Sequence, residues 1–186
     1  SMEFPMVSIC NSNAFITEAG KKYLESSYFY AEYKSMIQSA KESTDFEMII
    51  NITSIHSQLI NIEKLNVSNP TFNAKLKKSF GLNKTEMFVY PYMFDGRSYG
   101  NYEYIKWYYD TSYGNCFKFN SGYNETREED GQDTEPIPLL KQSTPGMKSG
   151  LIIGLFADVF KRQQDSISNL EGSYGLRISI DHQTYI

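Results

Sequence analysis

Few residues of this 186-residue chain have the type and spacing that enzyme chemistry requires. It contains two histidines, His56 and His182, and two cysteines, Cys10 and Cys116. Two histidines cannot build a multi-histidine metal site, and the cysteines are too far apart in sequence for a local zinc clip. The chain also lacks the nucleophile-elbow, zinc-protease, phosphate-loop and C-x-x-C motifs. We therefore expect no enzyme activity, no cofactor and no metal site.

The chemistry of the cysteines and of four asparagine sequons depends on the compartment of the chain. Two cysteines of an extracellular protein usually form a disulfide, whereas in a cytosolic protein they are more often buried thiols. N-glycosylation sequons matter only in a secreted chain, and they also arise by chance in a sequence rich in Asn, Ser and Thr. Composition leaves both alternatives open. The candidate glycosylation sites are Asn51, Asn66, Asn83 and Asn124.

The composition excludes several other classes of protein. An aromatic content of 15% is too high for a disordered chain, and a net charge of -4 argues against nucleic-acid binding. No segment approaches the roughly 18 to 20 apolar residues that cross a bilayer. The longest candidate, residues 151–160, includes Asp158. The length is typical of one domain, and we interpret Ser1-Met2 as a cloning remnant with no signal peptide after it.

Hydrophobic spacing predicts a helical block over residues 17–81. Residues 19–41 and 44–65 have helical periodicity, and the second helix begins with the capping-box pair Thr44 and Glu47. A third helix is predicted from Pro70, which suits a first helical position, to Gly81, which suits a helix end. His56 lies in the second helix, and we expect it to have a packing role and not a catalytic one.

Strands are predicted on both sides of the helical block, which indicates an α+β fold with a sheet shared by the two ends of the chain. The predicted strands cover residues 4–10, 86–90, 114–120, 151–157 and 176–181. Pro5 makes the first of them an edge strand or marks its entry. The last alternates apolar and polar residues and is predicted to be half-buried. Asp95-Gly96 predicts a tight turn. Residues 104–109 fit either a strand or a packed loop, and Trp107 is more typical of core packing than of a stacking platform.

Acidic residues are concentrated between Glu125 and Glu135, followed by Pro136 and Pro138, and we expect a mobile surface loop over residues 122–145. Charge runs of this kind are usually solvent-exposed and have no binding role.

Two longer motifs resemble a known channel family. FPMVSICN at residues 4–11 is similar to F-P-x-V-[ST]-[ILV]-C-N, which follows the first transmembrane helix in the degenerin/epithelial sodium channel family. YGNCFKFNSG at residues 113–122 is similar to the family's Y-G-x-C-[YF]-x-F-N-S-G. Residues 150–155 and 175–183 resemble two later strands of the same ectodomain.

The resemblance implies a palm and β-ball sheet with an inserted three-helix finger region. Residues 1–16 would be the first palm strand, residues 17–112 the finger-like helical region, and residues 113–186 palm and β-ball strands with the acidic loop at 122–145. It also implies a disulfide between Cys10 and Cys116. The chain would then be an excerpt of the early ectodomain, with the pore and both membrane helices elsewhere, and its uncovered strand edges would favour self-association unless the finger region folds alone.

The sequence departs from the family at a small finger disulfide. The segment YMFDGRSY at residues 92–99 aligns with the family's C-x-F-N-G-x-x-C, but tyrosines occupy both cysteine positions. We expect the turn at Asp95-Gly96 to form without the covalent bond.

The family consists of trimeric, amiloride-sensitive, sodium-selective channels of the plasma membrane. The resemblance implies that this chain is the extracellular part of one subunit, that it senses a stimulus, and that it assembles with identical or homologous subunits. A proton would be sensed through Glu128, Glu129 and Asp130 of the acidic loop. A peptide would bind a pocket lined by the tyrosines of the first helix, which are Tyr23, Tyr28, Tyr30 and Tyr33. The alternative is a non-conducting adhesion or ligand-binding module of the same fold.

Overall fold

The computed structural model describes residues 2–11, 13–26, 35, 70–89, 91–125, 132–146, 149–156 and 176–181. Its α+β architecture combines short helices with antiparallel sheets. The helices are α1 (Glu18–Ser26), α2 (Pro70–Ser79) and α3 (Lys84–Met87). The strands are β1 (Met2–Glu3), β2 (Met6–Asn11), β3 (Tyr92–Phe94), β4 (Arg97–Tyr99), β5 (Ile105–Asp110), β6 (Gly114–Phe119), β7 (Lys141–Gln142), β8 (Leu151–Ile152) and β9 (Leu176–Asp181).

The principal sheet has four antiparallel strands in the order β5-β6-β2-β9. It joins the two ends of the chain, because β2 pairs with β9 from Met6 opposite Asp181 to Asn11 opposite Leu176. The predicted sharing of one sheet by both ends is therefore confirmed. Pro5 precedes β2 rather than lying within it, so β2 keeps its ladder on both sides and is a central strand with the proline at its entry.

A smaller sheet, in the order β4-β3-β8, packs beside the first, and β1 pairs with β7. The β3–β4 connection is the predicted tight turn. Asp95 and Gly96 have φ values of 51° and 75°, and positive φ at both central positions is the signature of a type I′ hairpin. Residues 104–109, for which strand and loop were both possible, form most of β5.

Two predicted strands are wrong or too long. Residues 86–90 were expected to be a strand, but α3 occupies 84–87 because Asn83 and Glu86 form a capping box. Phe88 then makes one isolated bridge to Leu155. The predicted buried strand at 151–157 shortens to the two residues of β8, and Ile152 is 52% exposed. Among the described strands it pairs only with β3, so it is an edge strand of the smaller sheet.

The hydrophobic core lies on one face of the four-stranded sheet. Its rows run across β5, β6 and β2, with Ile105, Phe119 and Val7 in one row and Trp107, Phe117 and Ile9 in the next. The smaller sheet and α3 supply the residues packed on these rows, which are Met87, Phe88, Tyr92 and Phe94. Trp107 is 4% exposed, so the predicted packing role is confirmed.

The same face is exposed where it continues on β9. Ile178 and Ile180 lie beside Ile9 and Val7 in these rows, yet they are 56% and 69% exposed. The strand prediction for residues 176–181 is confirmed, but the prediction that its apolar side is buried is wrong for Ile178 and Ile180. Leu176, on the same side of β9, is partly buried and packs against the core.

The start of α1 is hydrogen-bonded to the end of α2. Thr17 caps α1, because its Oγ1 accepts a hydrogen bond from Gly20 N at 3.0 Å, and this hydroxyl also donates to Ser79 O at 2.6 Å. The helix predicted from Pro70 is confirmed as α2. Gly81 follows it, and an added Cβ there would lie 2.4 Å from Asn115 Cβ.

Several predictions lie outside the described residues. They are the first predicted helix beyond Ser26, apart from Ser35, the predicted helix at 44–65 with His56, and His182.

Candidate functional site

A disulfide joins the two motif-bearing strands. Cys10 on β2 and Cys116 on β6 are directly opposite each other in the ladder, with their Cα atoms 4.2 Å apart and a separation of 106 positions in sequence. Such a short separation is typical of the closely spaced pairs of an antiparallel ladder. Both residues are buried, at 4% and 0% exposure. The sheet is therefore cross-linked between the strand near the start of the chain and the strand of the second motif.

Aromatic and cationic side chains flank the disulfide on the same face of the sheet, opposite to the core. Tyr108 of β5 is paired with Cys116, and its hydroxyl lies 3.7 Å from Cys10 Sγ. Burial raises the pKa of Tyr108, and a hydrogen bond with Ser8 partly offsets that increase. On the other side, Arg177 of β9 is paired with Cys10, and its guanidinium carbon lies 4.3 Å from the centre of the Tyr113 ring.

The next row on this face brings two lysines together. Lys106 of β5 and Lys118 of β6 are directly opposite each other, an arrangement that is unfavourable for like charges without compensation. Lys106 is 3% exposed and is ion-paired with Asp133. The Lys118 ammonium lies 4.2 Å from the centre of the Tyr108 ring. Burial, followed by repulsion from Lys106, lowers the pKa of Lys118.

The described part of the acidic loop is bound to the body of the protein. Asp133 pairs with the buried Lys106, and Glu125 pairs with Lys84 of α3 at 2.7 Å. Thr134 N donates to Glu125 O at 2.9 Å, which closes the two sides of the loop on each other. Both side chains remain exposed, at 47% for Glu125 and 39% for Asp133, so the predicted surface position is confirmed, while the two ion pairs attach the loop, which was predicted to be mobile, at these points. Glu128, Glu129 and Asp130 lie outside the described residues.

Tyr23 lies in an aromatic cluster at the contact of α1 with the end of α2. Its ring centroid is 4.6 Å from that of Phe80 and 6.0 Å from that of Phe15. Burial raises the pKa of Tyr23. The structure thus gives this ring a packing role, and its part in a ligand pocket remains a prediction. Tyr28, Tyr30 and Tyr33 lie outside the described residues.

Two tyrosines form a stacked pair at the hairpin where the family resemblance points to a disulfide. Tyr92 of β3 and Tyr99 of β4 are directly opposite each other. Their ring centroids are 5.0 Å apart and the rings are inclined by 6°. Tyr92 is fully buried, and its hydroxyl donates a hydrogen bond to Glu103 O. Burial and the neighbouring Tyr99 raise the pKa of Tyr92. Aromatic packing therefore connects the two strands without a covalent bond.

Two of the four sequon asparagines, Asn83 and Asn124, are among the described residues, and both are exposed. Asn83 also caps α3, because its Oδ1 accepts a hydrogen bond from Glu86 N at 2.9 Å. Asn51 and Asn66 lie outside the described residues.

Sequence reasoning did not identify the buried ion pair of Lys106 and Asp133. A lysine within an aromatic strand segment, IKWYY at residues 105–109, was the available signal, since a charge flanked by strongly apolar residues on a sheet needs a partner. The partner is 27 residues away in sequence, and only the docking of the loop shows which carboxylate it is.

Comparison with known proteins agrees with this geometry. The family model described as amiloride-sensitive sodium channel matches residues 1–186. A comparison with curated proteins finds no match. No helix among the described residues is both long and apolar enough to cross a membrane. The matched family is one of multimeric membrane channels for sodium and not of enzymes. From the match over its entire length, the chain belongs to the amiloride-sensitive sodium channel family.

Proposed function

We propose that this chain is an extracellular region of one subunit of a trimeric, sodium-selective, amiloride-sensitive channel of the plasma membrane, and that it couples a stimulus to the gating of the pore. The family match over residues 1–186 is the observation that carries the proposal. The disulfide-linked sheet supports it, because a cross-linked sheet can transmit a displacement without deforming. In this proposal residues 1–16 form the first palm strand, 17–112 the finger-like region and 113–186 the palm and β-ball strands.

Gating in this proposal is a shift between two populated arrangements of the ectodomain. A stimulus shifts such an equilibrium only if it interacts differently with the two arrangements. The acidic loop is a suitable element, since its attachment to the sheet rests on a few identifiable contacts. The pair of Lys106 and Asp133 is the strongest of them, because the lysine is almost fully buried. Release of this pair would leave a buried charge without its partner, so docking of the loop is coupled to the state of the sheet.

Two kinds of stimulus fit the residues that the sequence singled out. Protons would act on Glu128, Glu129 and Asp130, which precede the docked Asp133 in the loop. A peptide would bind the tyrosines of the first helix, Tyr23, Tyr28, Tyr30 and Tyr33. The packing of Tyr23 on Phe80 supports a peptide effect that passes from α1 to the end of α2.

Voltage-clamp recording of the full-length subunit expressed in oocytes tests the proposal. We expect a sodium current that amiloride blocks and that pH steps or candidate peptides modulate. Asp133→Asn should shift the midpoint of the stimulus response, because it weakens the buried ion pair. Glu125→Gln is the matched control: its pair with Lys84 is more exposed, so its loss should have little effect.

The outcomes separate the proposal from its alternative. Surface expression without current, together with binding of a cell-surface partner, would favour a non-conducting adhesion or ligand-binding module. If Asp133→Asn conducts and its stimulus response is unchanged, the channel proposal stands, but the acidic loop is excluded as the sensing element.

A further inference from the structure

We propose that Asn83 carries an N-linked glycan through Nδ2 while its Oδ1 continues to cap α3, and that the first sugar packs over an adjacent apolar cleft. This inference rests on the extracellular placement of the chain proposed above. It goes further by selecting one sequon and by giving its sugar a structural role.

The side chain of Asn83 uses only one of its two polar atoms. Its Oδ1 accepts hydrogen bonds from Glu86 N at 2.9 Å and from Thr85 Oγ1 at 2.7 Å. In return, Glu86 Oε2 accepts a hydrogen bond from Asn83 N at 2.9 Å. Among the described residues, none accepts a hydrogen bond from Asn83 Nδ2. The atom that would bear a sugar is therefore separate from the atom that holds the helix.

The glycosylation step leaves the capping contacts intact. Nδ2 attacks C1 of the first sugar of a lipid-linked oligosaccharide diphosphate. The N–C1 bond forms, the bond from C1 to the phosphate oxygen breaks, and the lipid diphosphate leaves as the amide loses one of its two protons. The amide product keeps the carbonyl oxygen with both lone pairs. Oδ1 therefore still accepts from Glu86 N after the sugar has been attached.

Asn83 lies at the rim of a cleft that suits a sugar. The cleft has a volume of about 240 Å³, and its lining includes the partly exposed Leu82 above the buried rings of Trp107 and Phe117. Its polar part includes Lys84 and Glu125, which are ion-paired at 2.7 Å. An N-acetylated pyranose has an apolar C–H face and polar hydroxyls, so it can pack on such a floor and hydrogen-bond to such a rim. The remaining sugars would extend into solvent, because Asn83 and Thr85 are both exposed.

Glycopeptide mass spectrometry of the full-length subunit, purified from the cell surface, tests occupancy. Enzymatic deglycosylation in 18O water should convert Asn83 to labelled Asp in the wild type and in Thr85→Ser. Thr85→Ala and Asn83→Asp should lack the sugar. Asn124→Gln is a control for the loss of a glycan at a site without a cap. An unoccupied Asn83 beside an occupied Asn124 would overturn this inference while retaining the extracellular placement. A subunit without sugar at any sequon would overturn the placement itself.

Thermal unfolding of the glycosylated 186-residue chain tests the packing of the first sugar. Trimming to one sugar should leave Tm unchanged, whereas Asn83→Asp, which removes the sugar and keeps an oxygen for the cap, should lower Tm by about 2–4 °C. Thr85→Ala removes the sugar together with the hydrogen bond from Thr85 Oγ1 to Asn83 Oδ1, so its Tm should be no higher than that of Asn83→Asp. An equal Tm for the one-sugar form and the sugar-free Asn83→Asp form would overturn the packing role.

Discussion

The core-facing rows of the four-stranded sheet are buried at one end and exposed at the other. Trp107, Phe117 and Ile9 are at most 4% exposed, whereas Ile178, the next residue in the same row, is 56% exposed. All four strands have alternating or apolar sequences that are typical of a sheet with one buried face. The difference shows that alternation identifies the face of a strand, while burial depends on what packs over that face.

The disulfide also lies at the buried end of the sheet and not at the β9 end. The β2–β6 pair has four residue pairs in register and a disulfide. The β2–β9 pair has six residue pairs in register but no covalent link. We therefore expect the β6 side to resist local opening and the β9 side to open first, since local stability follows buried apolar contacts.

Removal of the disulfide should have the largest effect. Replacing Cys10 and Cys116 together by serine should lower the free energy of unfolding by up to about 4.7 kcal/mol, the chain-entropy value for a loop of about 100 residues. Denaturant unfolding monitored by tryptophan fluorescence measures it. Reduction of the wild type should reproduce the loss, and a change below about 1 kcal/mol would contradict the stabilising role of the cross-link.

Two alanine substitutions in one row should differ in their effect on stability, because one end of the row is buried and the other is exposed. Phe117→Ala should cost about 3–5 kcal/mol, because it leaves a cavity in the core. Ile178→Ala should change stability by less than about 0.5 kcal/mol, because the side chain is mostly solvated. Equal losses in urea unfolding would mean that β9 is covered in solution.

Alkaline pH should destabilise the folded protein through the tyrosines of the hydrophobic core. Burial raises the pKa of Tyr92 and Tyr109 above the ordinary value of 10. Above pH 10 the unfolded chain therefore loses these protons before the folded one, so the stabilisation present below pH 10 decreases as the pH rises. Absorbance at 295 nm should show these tyrosines ionising together with unfolding.

Tyr92→Phe is the variant that isolates one of these hydroxyls. It should reduce the alkaline dependence and cost about 0.5–1.5 kcal/mol at pH 7, the usual value for one lost hydrogen bond. The ring stacking on Tyr99 should remain, so the hairpin should keep its register. An unchanged alkaline unfolding profile would show that Tyr92 is not the group responsible.

The smallest effect on stability is expected for substitutions on the exposed strand β9. Their effect on association between two copies of the chain should be measurable. Two β9 strands placed antiparallel about Ser179 would set Arg177 opposite Asp181 and Ile178 opposite Ile180 of the second copy. Opposite charges and apolar pairs at these positions favour pairing. Light scattering after size exclusion should detect the dimer. Ile180→Lys should weaken it with a stability change below about 0.5 kcal/mol, and a wild-type monomer at all concentrations would exclude edge pairing.

Local signals predicted much of the fold. Pro70 and Gly81 marked the limits of α2, and Asp95-Gly96 marked the β3–β4 turn. These predictions succeed because they depend on backbone conformation within a few residues. The same kind of signal was present at α3, where Asn83 and Glu86 have capping-box spacing, but the apolar residues after them were interpreted as a strand. Here local capping prevailed over a short apolar run, whose period does not distinguish helix from strand.

The candidate site was only partly predictable. The family motifs pointed to Cys10 and Cys116 as partners and to Tyr92 and Tyr99 as substitutes for a second bond. They did not indicate that the tyrosines stack or that Lys106 is buried beside Asp133. Those features need side chains from segments that are distant in sequence to meet in space.

The sequence by itself determined the family, the α+β class, the β3–β4 turn, the strands β2, β6 and β9, and the absence of enzyme motifs. These properties follow from residue types and short-range spacing. Only the tertiary structure decided that Ile9 is buried while Ile178 is exposed, and that Asp133 neutralises Lys106. Burial and ion pairing depend on which surfaces meet after the chain has folded, and the period of a strand contains no information about what will cover it.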